Sequence, residues 1–439
     1  MRTGALAACA AAMFVGPAHA ARRASPPLVM ENADRLEGVR STGEYVLSGN
    51  VRFRHGDLRL ETQRALWERA NNRVISETPM RITNRGALLT ADRGLYDRNA
   101  DRAEAVGRVF MRDSAGEINA TSERLDYDRV RRVAVMSGNP MARRFYPERR
   151  EFPGGDTTAV PDLIEADTLT IRALRLQHND SLGTAVAEGN VVITRRDLRI
   201  TCGRAEYRQK EDSLILYQNP IAKVEDSEIR GAVIRLGLDG EALRGLRVRG
   251  AAEALSYEKA TDSTDARQSR VTGDSLFMAF RDGAIDSVEV FDQAEGTYWE
   301  VSKPQYVNRM NGDYMVLRFR DKEAREAHVL GSARSTYFHF EGDTLKGRNR
   351  AEGDTIALAF EAGRIGEVLV QGRASGVYEG SSLATGKPTG ETATSSPGNP
   401  GPVDSAANKT GTPSGSTPPQ KPGLTMPQVP ATDKKKGTP

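Results

Sequence analysis

The clearest pattern in this chain is an alternation of large apolar and polar positions, broken at short intervals by Gly, Asn, Asp and Pro. It is sharpest in three consecutive copies of one segment, residues 270–298, 309–337 and 350–378. Counted from the leading Arg, each copy has Gly-Asp at +3 and +4, apolar residues at +6, +8 and +10, Val at +20, Ala at +24 and Tyr at +28. The apolar triplets are Leu276/Met278/Phe280, Met315/Leu317/Phe319 and Ile356/Leu358/Phe360. A period of two predicts strands with one buried face. Asp282-Gly283 predicts a tight hairpin, because Gly takes φ > 0 at little steric cost, and Ile285, Val288 and Val290 form the returning arm. One such hairpin cannot bury its apolar side alone. Copies that step by 39 and 41 residues predict hairpins stacked along one axis.

The earlier part of the chain reads as shorter strands of the same kind. Tyr45, Leu47, Val51 and Phe53 share one parity, and Leu58, Leu60 and Thr62 share another. Ala65 and Trp67 then change parity, which predicts a bulge or a corner where a strand changes sheet. The Gly-Asn-Val segment at 49–51 returns at 189–191, with Ile193 where Phe53 stood, and Leu198, Ile200 and Cys202 alternate after it. Two blocks are expected, 31–150 and 163–380, on either side of the loop-like stretch 151–162. Charged residues between the apolar ones (Arg52, Arg54, Arg59, Glu61) predict sheets polar on one side and apolar on the other. Two such sheets facing each other would hold roughly 34 strands of about ten residues. Unpaired edges are expected near 33–60 and 354–378.

The ends have other compositions. Residues 1–20 read as a secretory signal peptide, with Arg2, an apolar run and Ala18-His19-Ala20, cleaved after Ala20. Cys9 stands too near the start to serve as an acylation site. No later apolar run approaches the ~20 residues a membrane-spanning helix needs. Residues 381–439 hold no aromatic residue and 11 of the 21 prolines, so a disordered tail is expected.

Charge and side-chain chemistry then remove several functions. With 62 basic and 59 acidic residues, nothing points to nucleic acid. Once Cys9 is cleaved away, Cys202 stands alone in an alternating run and reads as a buried small hydrophobe, with no intramolecular disulfide possible. The five His include no pair at metal-ligand spacing, so no metal or other cofactor is expected. Asp and Glu sit in turn-like positions rather than as paired carboxylates, so no catalytic site and no enzyme is expected. Arg270/Asp274, Arg309/Asp313 and Arg350/Asp354 read as turn-stabilising ion pairs, each of small worth if exposed.

The ordered series of Ala-Asp…Tyr…Gly-Asn-Val at 33–51, 91–109 and 166–191, followed by the Gly-Asp hairpins at 273–378, resembles the OstA/LptA family of lipopolysaccharide-transport proteins. The later hairpins are similar to those of its long OstA-like members. The resemblance implies an all-β fold, an elongated twisted β-jellyroll of stacked antiparallel hairpins, whose groove takes the acyl chains of lipopolysaccharide. It implies a periplasmic location near the outer membrane. It also implies partnership with other jellyroll proteins of a transport bridge through end-to-end strand addition, or self-association. On this basis the lipid-binding candidates are Leu47, Val51, Phe53, Leu60, Val191, Ile193, Ile200, Leu276, Met278, Phe280, Leu317, Phe319, Leu358 and Phe360. From the residues alone, the same rows also suit an ordinary dry core. A structural or adhesive β-stack at the cell surface, or a polysaccharide-acting repeat enzyme, stays open beside the lipid carrier.

Overall fold

A computed structural model of the protein describes residues 26–39, 43–146, 168–239, 242–260, 265–320, 323–361 and 364–380. The signal peptide expected at 1–20, the loop at 151–162 and the tail at 381–439 lie outside the described residues. Within them the chain forms 28 strands, antiparallel throughout and hydrogen-bonded into one sheet, with one 3-10 turn at Gln209–Glu211. The strands are fewer than length alone suggests because the later ones are long. Glu44–His55 has 12 residues, whereas Ala284–Glu300 has 17, Glu323–Glu341 has 19 and Thr344–Glu361 has 18. Asp282 and Gly283 make the expected two-residue turn, with φ of 52° and 79°, between the paired Arg281 and Ala284.

The sheet turns back on itself at a line of corners. Each corner is two consecutive residues in the left-handed region, placed in mid-strand or between two short strands that do not pair with each other. Among the described residues there are nine: Gly49-Asn50, Gly107-Arg108, Gly138-Asn139, Gly189-Asn190, Gln218-Asn219, Gly250-Ala251, Asp292-Gln293, Gly331-Ser332 and Gly372-Arg373. The preference for Gly first and Asn next follows from the positive φ that both positions require. The neighbouring strand seals the corner by donating a backbone N–H to its first carbonyl, as Asp34 does to Gly49, Asp92 to Gly107, Glu123 to Gly138 and Asp354 to Gly372, at 2.8–3.1 Å. Acidic side chains there also reach the second corner residue. Asn50 Nδ2 donates to Asp34 at 3.0 Å, and Arg108 and Arg373 each hold their Asp at 2.6 Å. The Ala-Asp…Gly-Asn series of the sequence is therefore one structural device, the two halves of a corner. The parity slip at Ala65 has the same cause, since the pairing shifts register across Gln63 opposite Gly49-Asn50.

The halves of the strands on either side of the corners make two walls with the apolar residues between them. On the first wall one inward row is unbroken in register from Leu36 through Leu47, Ala65, Ser76, Gly94, Ala105, Leu125 and Met136. It continues through Leu176, Ala187, Ala205, Leu216, Ile234, Val248 and Leu276. Val290, Met315, Val329, Ile356 and Val370 complete it. The sheet crosses from 137 to 175 without a break, because Val133–Ser137 pairs with Arg175–Asn179. The buried side chains nevertheless fall into two clusters, one from Leu47 to Met136 and one from Ile171 to Leu358. The fold is an all-β jellyroll of stacked antiparallel hairpins.

Candidate functional site: the space between the walls

The residues expected to face lipid all point inward, but onto two different walls. Leu47 and the later residues Leu276, Met278, Phe280, Leu317, Phe319, Leu358 and Phe360 belong to the first wall, before the corners. Val51, Phe53, Leu60, Val191, Ile193 and Ile200 belong to the second wall, beyond them. Most are fully enclosed: Leu47, Val51 and Leu276 are at 0% exposure and Met278 at 5%. Phe280, Leu317, Phe319 and Phe360 are only half-buried. The three Phe form the row nearest the hairpin turns, opposite Ile285, Ala324 and Ile365, and so mark a rim.

A second set of inward residues was legible as a repeat marker and not as a wall. Tyr298 lies opposite Asn308, and Tyr337 opposite Asn349, which in turn faces Tyr378, all on the second wall. They share the parity of the buried Ala294, Ala333 and Ala351. Burial, with Tyr337 nearby, holds the Tyr298 phenol far above its ordinary pKa. Earlier in the chain the polar-tipped aromatics stand on the first wall instead, as Tyr45, Trp67, Tyr96, Tyr127, His178 and Tyr207. Burial pushes Tyr96 and Tyr207 up to about 12. Their hydroxyls are satisfied locally, Tyr96 against His55 and Tyr207 by donating to Asp212 at 3.0 Å. The inward tyrosines thus change walls between Tyr207 and Tyr298, whereas His55 already stands on the second wall.

Between the strands Ile118–Asp128 and Ser213–Tyr217 the walls enclose an apolar cavity of about 60 Å³. Ile118, Ala120, Ala142, Ile171 and Ile193 line it from the second wall, and Ala134, Met136, Leu176, His178, Ala185, Ala187, Ala205, Tyr207 and Leu214 from the first. A larger open cleft of about 540 Å³ runs over the outside of the corners from Asn50 to Arg108. Its lining includes Arg52, Glu61, Gln63, Arg81, Asp92 and Arg108, which does not suit an acyl chain.

Outside the walls, the ion pairs expected within each copy do not form. Arg270 pairs with Glu253 at 2.6 Å, Arg309 with Glu295 at 3.9 Å and Arg350 with Glu379 at 3.6 Å, each across strands. Gly-Asp lies at a corner rather than in a turn, so four residues of extended chain, about 13 Å, separate Arg from Asp. Cys202 is buried, as its place in the alternation predicts, and burial raises its thiol to about 11.

A β-jellyroll with an apolar interior bounded by two continuous walls is the architecture of an OstA/LptA-like protein. Residues 32–169 match the family model described as LptA/(LptD N-terminal domain) LPS transport protein. The family is one of transport proteins rather than enzymes. Among solved structures the chain is similar to LptH, described as the LptA homologous periplasmic component of the conserved lipopolysaccharide transport device from Pseudomonas aeruginosa. The likeness has 13% identity and a TM-score of 0.24, covering 40% of this chain and 94% of that one, which is too loose to bear on function. No curated protein matches the chain.

Proposed function

We propose that this protein carries lipopolysaccharide toward the outer membrane, accepting acyl chains between its walls as one element of a periplasmic bridge. The supporting observation is the inward row that stays in register from Leu36 to Val370, predominantly apolar and without a charged residue, with the Ser76 hydroxyl tied to Thr62 and to the Thr78 carbonyl. The match of residues 32–169 to a lipopolysaccharide-transport family supports the choice of cargo. A chain inserted at the half-buried Phe280, Phe319 and Phe360 would exchange wall-to-wall contacts for wall-to-lipid contacts. The protein would then neither gain nor lose much apolar burial, while the lipid gains about 0.8 kcal/mol for each CH₂ removed from water. Other jellyroll proteins, or further copies of this one, would add strands at the sheet ends.

A dry core is the second reading, favoured by the complete burial of Leu47, Val51 and Leu276. Photo-crosslinking decides between the two. With purified lipopolysaccharide, probes at Phe280 and Phe319 are expected to capture lipid, and probes at the outward Arg281 and Arg318 are not. Equal capture at all four positions would indicate surface adsorption, and capture at none would leave the interior a dry core.

A further inference from the structure

The cavity between the walls is carved by small residues: Ala120, Ala134, Ala142, Ala185, Ala187 and Ala205 all line it. Into this apolar space the first wall directs one imidazole. His178 is 7% exposed and stands in the inward row between Ala134 and Ala185. Its Nδ1 lies 3.0 Å from the carbonyl oxygen of Thr184. A carbonyl only accepts, so Nδ1 carries the hydrogen and Nε2 is left as a bare acceptor. Burial keeps the ring neutral, with its pKa pushed down to about 4. Nε2 is itself buried and has no hydrogen-bond partner.

Nothing else in the lining supplies a donor. Tyr207 gives its hydrogen to Asp212, and Gln177 turns outward to accept from Arg175 at 3.0 Å. The cavity has room for about four water-sized groups. A water there would reach His178 yet leave most of its other bonds unmade, because beside His178 the inward lining offers only the acceptor side of the Tyr207 hydroxyl. An ammonium donor would be buried without a counter-charge, and an amide would bring an acceptor of its own that finds no donor. What fits is an apolar body carrying one hydroxyl. We propose that this cavity holds a stretch of apolar chain bearing a hydroxyl group, whose O–H donates to Nε2 of His178. The proposal rests on the reading that lipid chains occupy the interior, and adds a site that recognises one substituent on them.

The test compares 12-hydroxystearate with stearate and 2-hydroxymyristate with myristate, by displacement of a fluorescent fatty acid from the full chain. At least one hydroxy acid is expected to bind about tenfold more tightly than its parent, the scale of one well-placed hydrogen bond. In His178→Leu that preference is expected to vanish, each hydroxy acid binding no more tightly than its parent. In wild-type protein with ¹⁵N-labelled histidine, the Nε2 resonance of His178 should move with the preferred hydroxy acid and not with its parent. If parent and hydroxy acids bind equally to the wild type, or if His178→Leu keeps the preference, the hydroxyl site is wrong and the lipid-bearing interior stands. If no fatty acid binds, both readings fail.

Discussion

Gly331 and Gly283 share a backbone angle, φ of 78° and 79°, in opposite surroundings. A Cβ on Gly331 would lie 2.7 Å from Asp313 Cγ and 2.8 Å from its Cβ, whereas one on Gly283 would meet nothing within 4 Å. Alanine at either position bears the left-handed penalty of about 1–2 kcal/mol. Only Gly331→Ala adds a clash, worth about 1–3 kcal/mol more. Guanidinium unfolding should therefore rank Gly331→Ala clearly below Gly283→Ala, with Asp313→Ala restoring part of the difference. Equal losses would mean that the corner is not held by its cross-strand partner. His178 adds a pH dependence. Its folded pKa of about 4 lies below the ordinary 6.5, so below pH 6.5 the unfolded chain takes up a proton that the folded chain refuses. Stability should fall between pH 6.5 and 4, by about 3 kcal/mol at the lower limit. His55, also lowered chiefly by burial, acts in the same direction. Melting temperatures across this range should drop less in His178→Leu than in wild type, and parallel curves would remove His178 as a cause.

At the scale of the strand, burial grades the rows. Leu276, at 0% exposure, should cost about 2–5 kcal/mol when replaced by Ala. Phe319 is half-buried at the rim, so Phe319→Ser should cost distinctly less while reducing lipid capture; the reverse order in a denaturation series would put the rim in the wrong place. These rows were legible in the sequence because alternation is a direct consequence of one buried face. The wall each row belongs to was not legible. A corner of two residues preserves parity, so Leu47 before Gly49-Asn50 and Val51 after it read as one continuous face although they sit on different walls. Gly-Asp at 273–274 was misread as turn chemistry for a related reason, since a mid-strand corner uses the same residue types as a hairpin end. The alanine-lined cavity left no trace either. Ala120, Ala134 and Ala187 are weak strand residues, and their effect appears only when they meet across the walls.

At the scale of the molecule, the sheet has two unfinished ends. Val29–Asn32 and Arg35–Val39 pair only with Glu44–His55 among the described strands, and Arg364–Gln371 and Ser375–Gly380 pair only with Thr344–Glu361. Arg35–Val39 falls inside the 33–60 stretch the sequence suggested and Val29–Asn32 just before it, while Arg364–Gln371 falls inside 354–378 and Ser375–Gly380 runs just past it. Both carry apolar surface: Leu36 is 46% exposed, Leu369 48% and Val377 49%. Arg35–Val39 runs away from the corner line and Arg364–Gln371 runs toward it, so the end of one copy added to the start of another would pair antiparallel, as every strand inside the sheet does. A join that kept the register would set Leu36 opposite Val370 of the next molecule and carry the inward row from one copy into the next. Directly opposed residues have Cβ atoms about 4.5–5.5 Å apart, within reach of a disulfide after small adjustment. With Cys202→Ser as background, Leu36→Cys together with Val370→Cys should give a ladder of disulfide-linked oligomers under mild oxidation. Leu36→Cys with Leu369→Cys places the second thiol on the opposite face and should give far less. A head-to-tail contact repeats, and if its rotation does not close a ring it gives open chains, so trimers and longer forms should rise with concentration. Equal yields from the two pairs would exclude a join that keeps the row in register. Monomers alone at every concentration would show that these edges do not accept another copy of the chain.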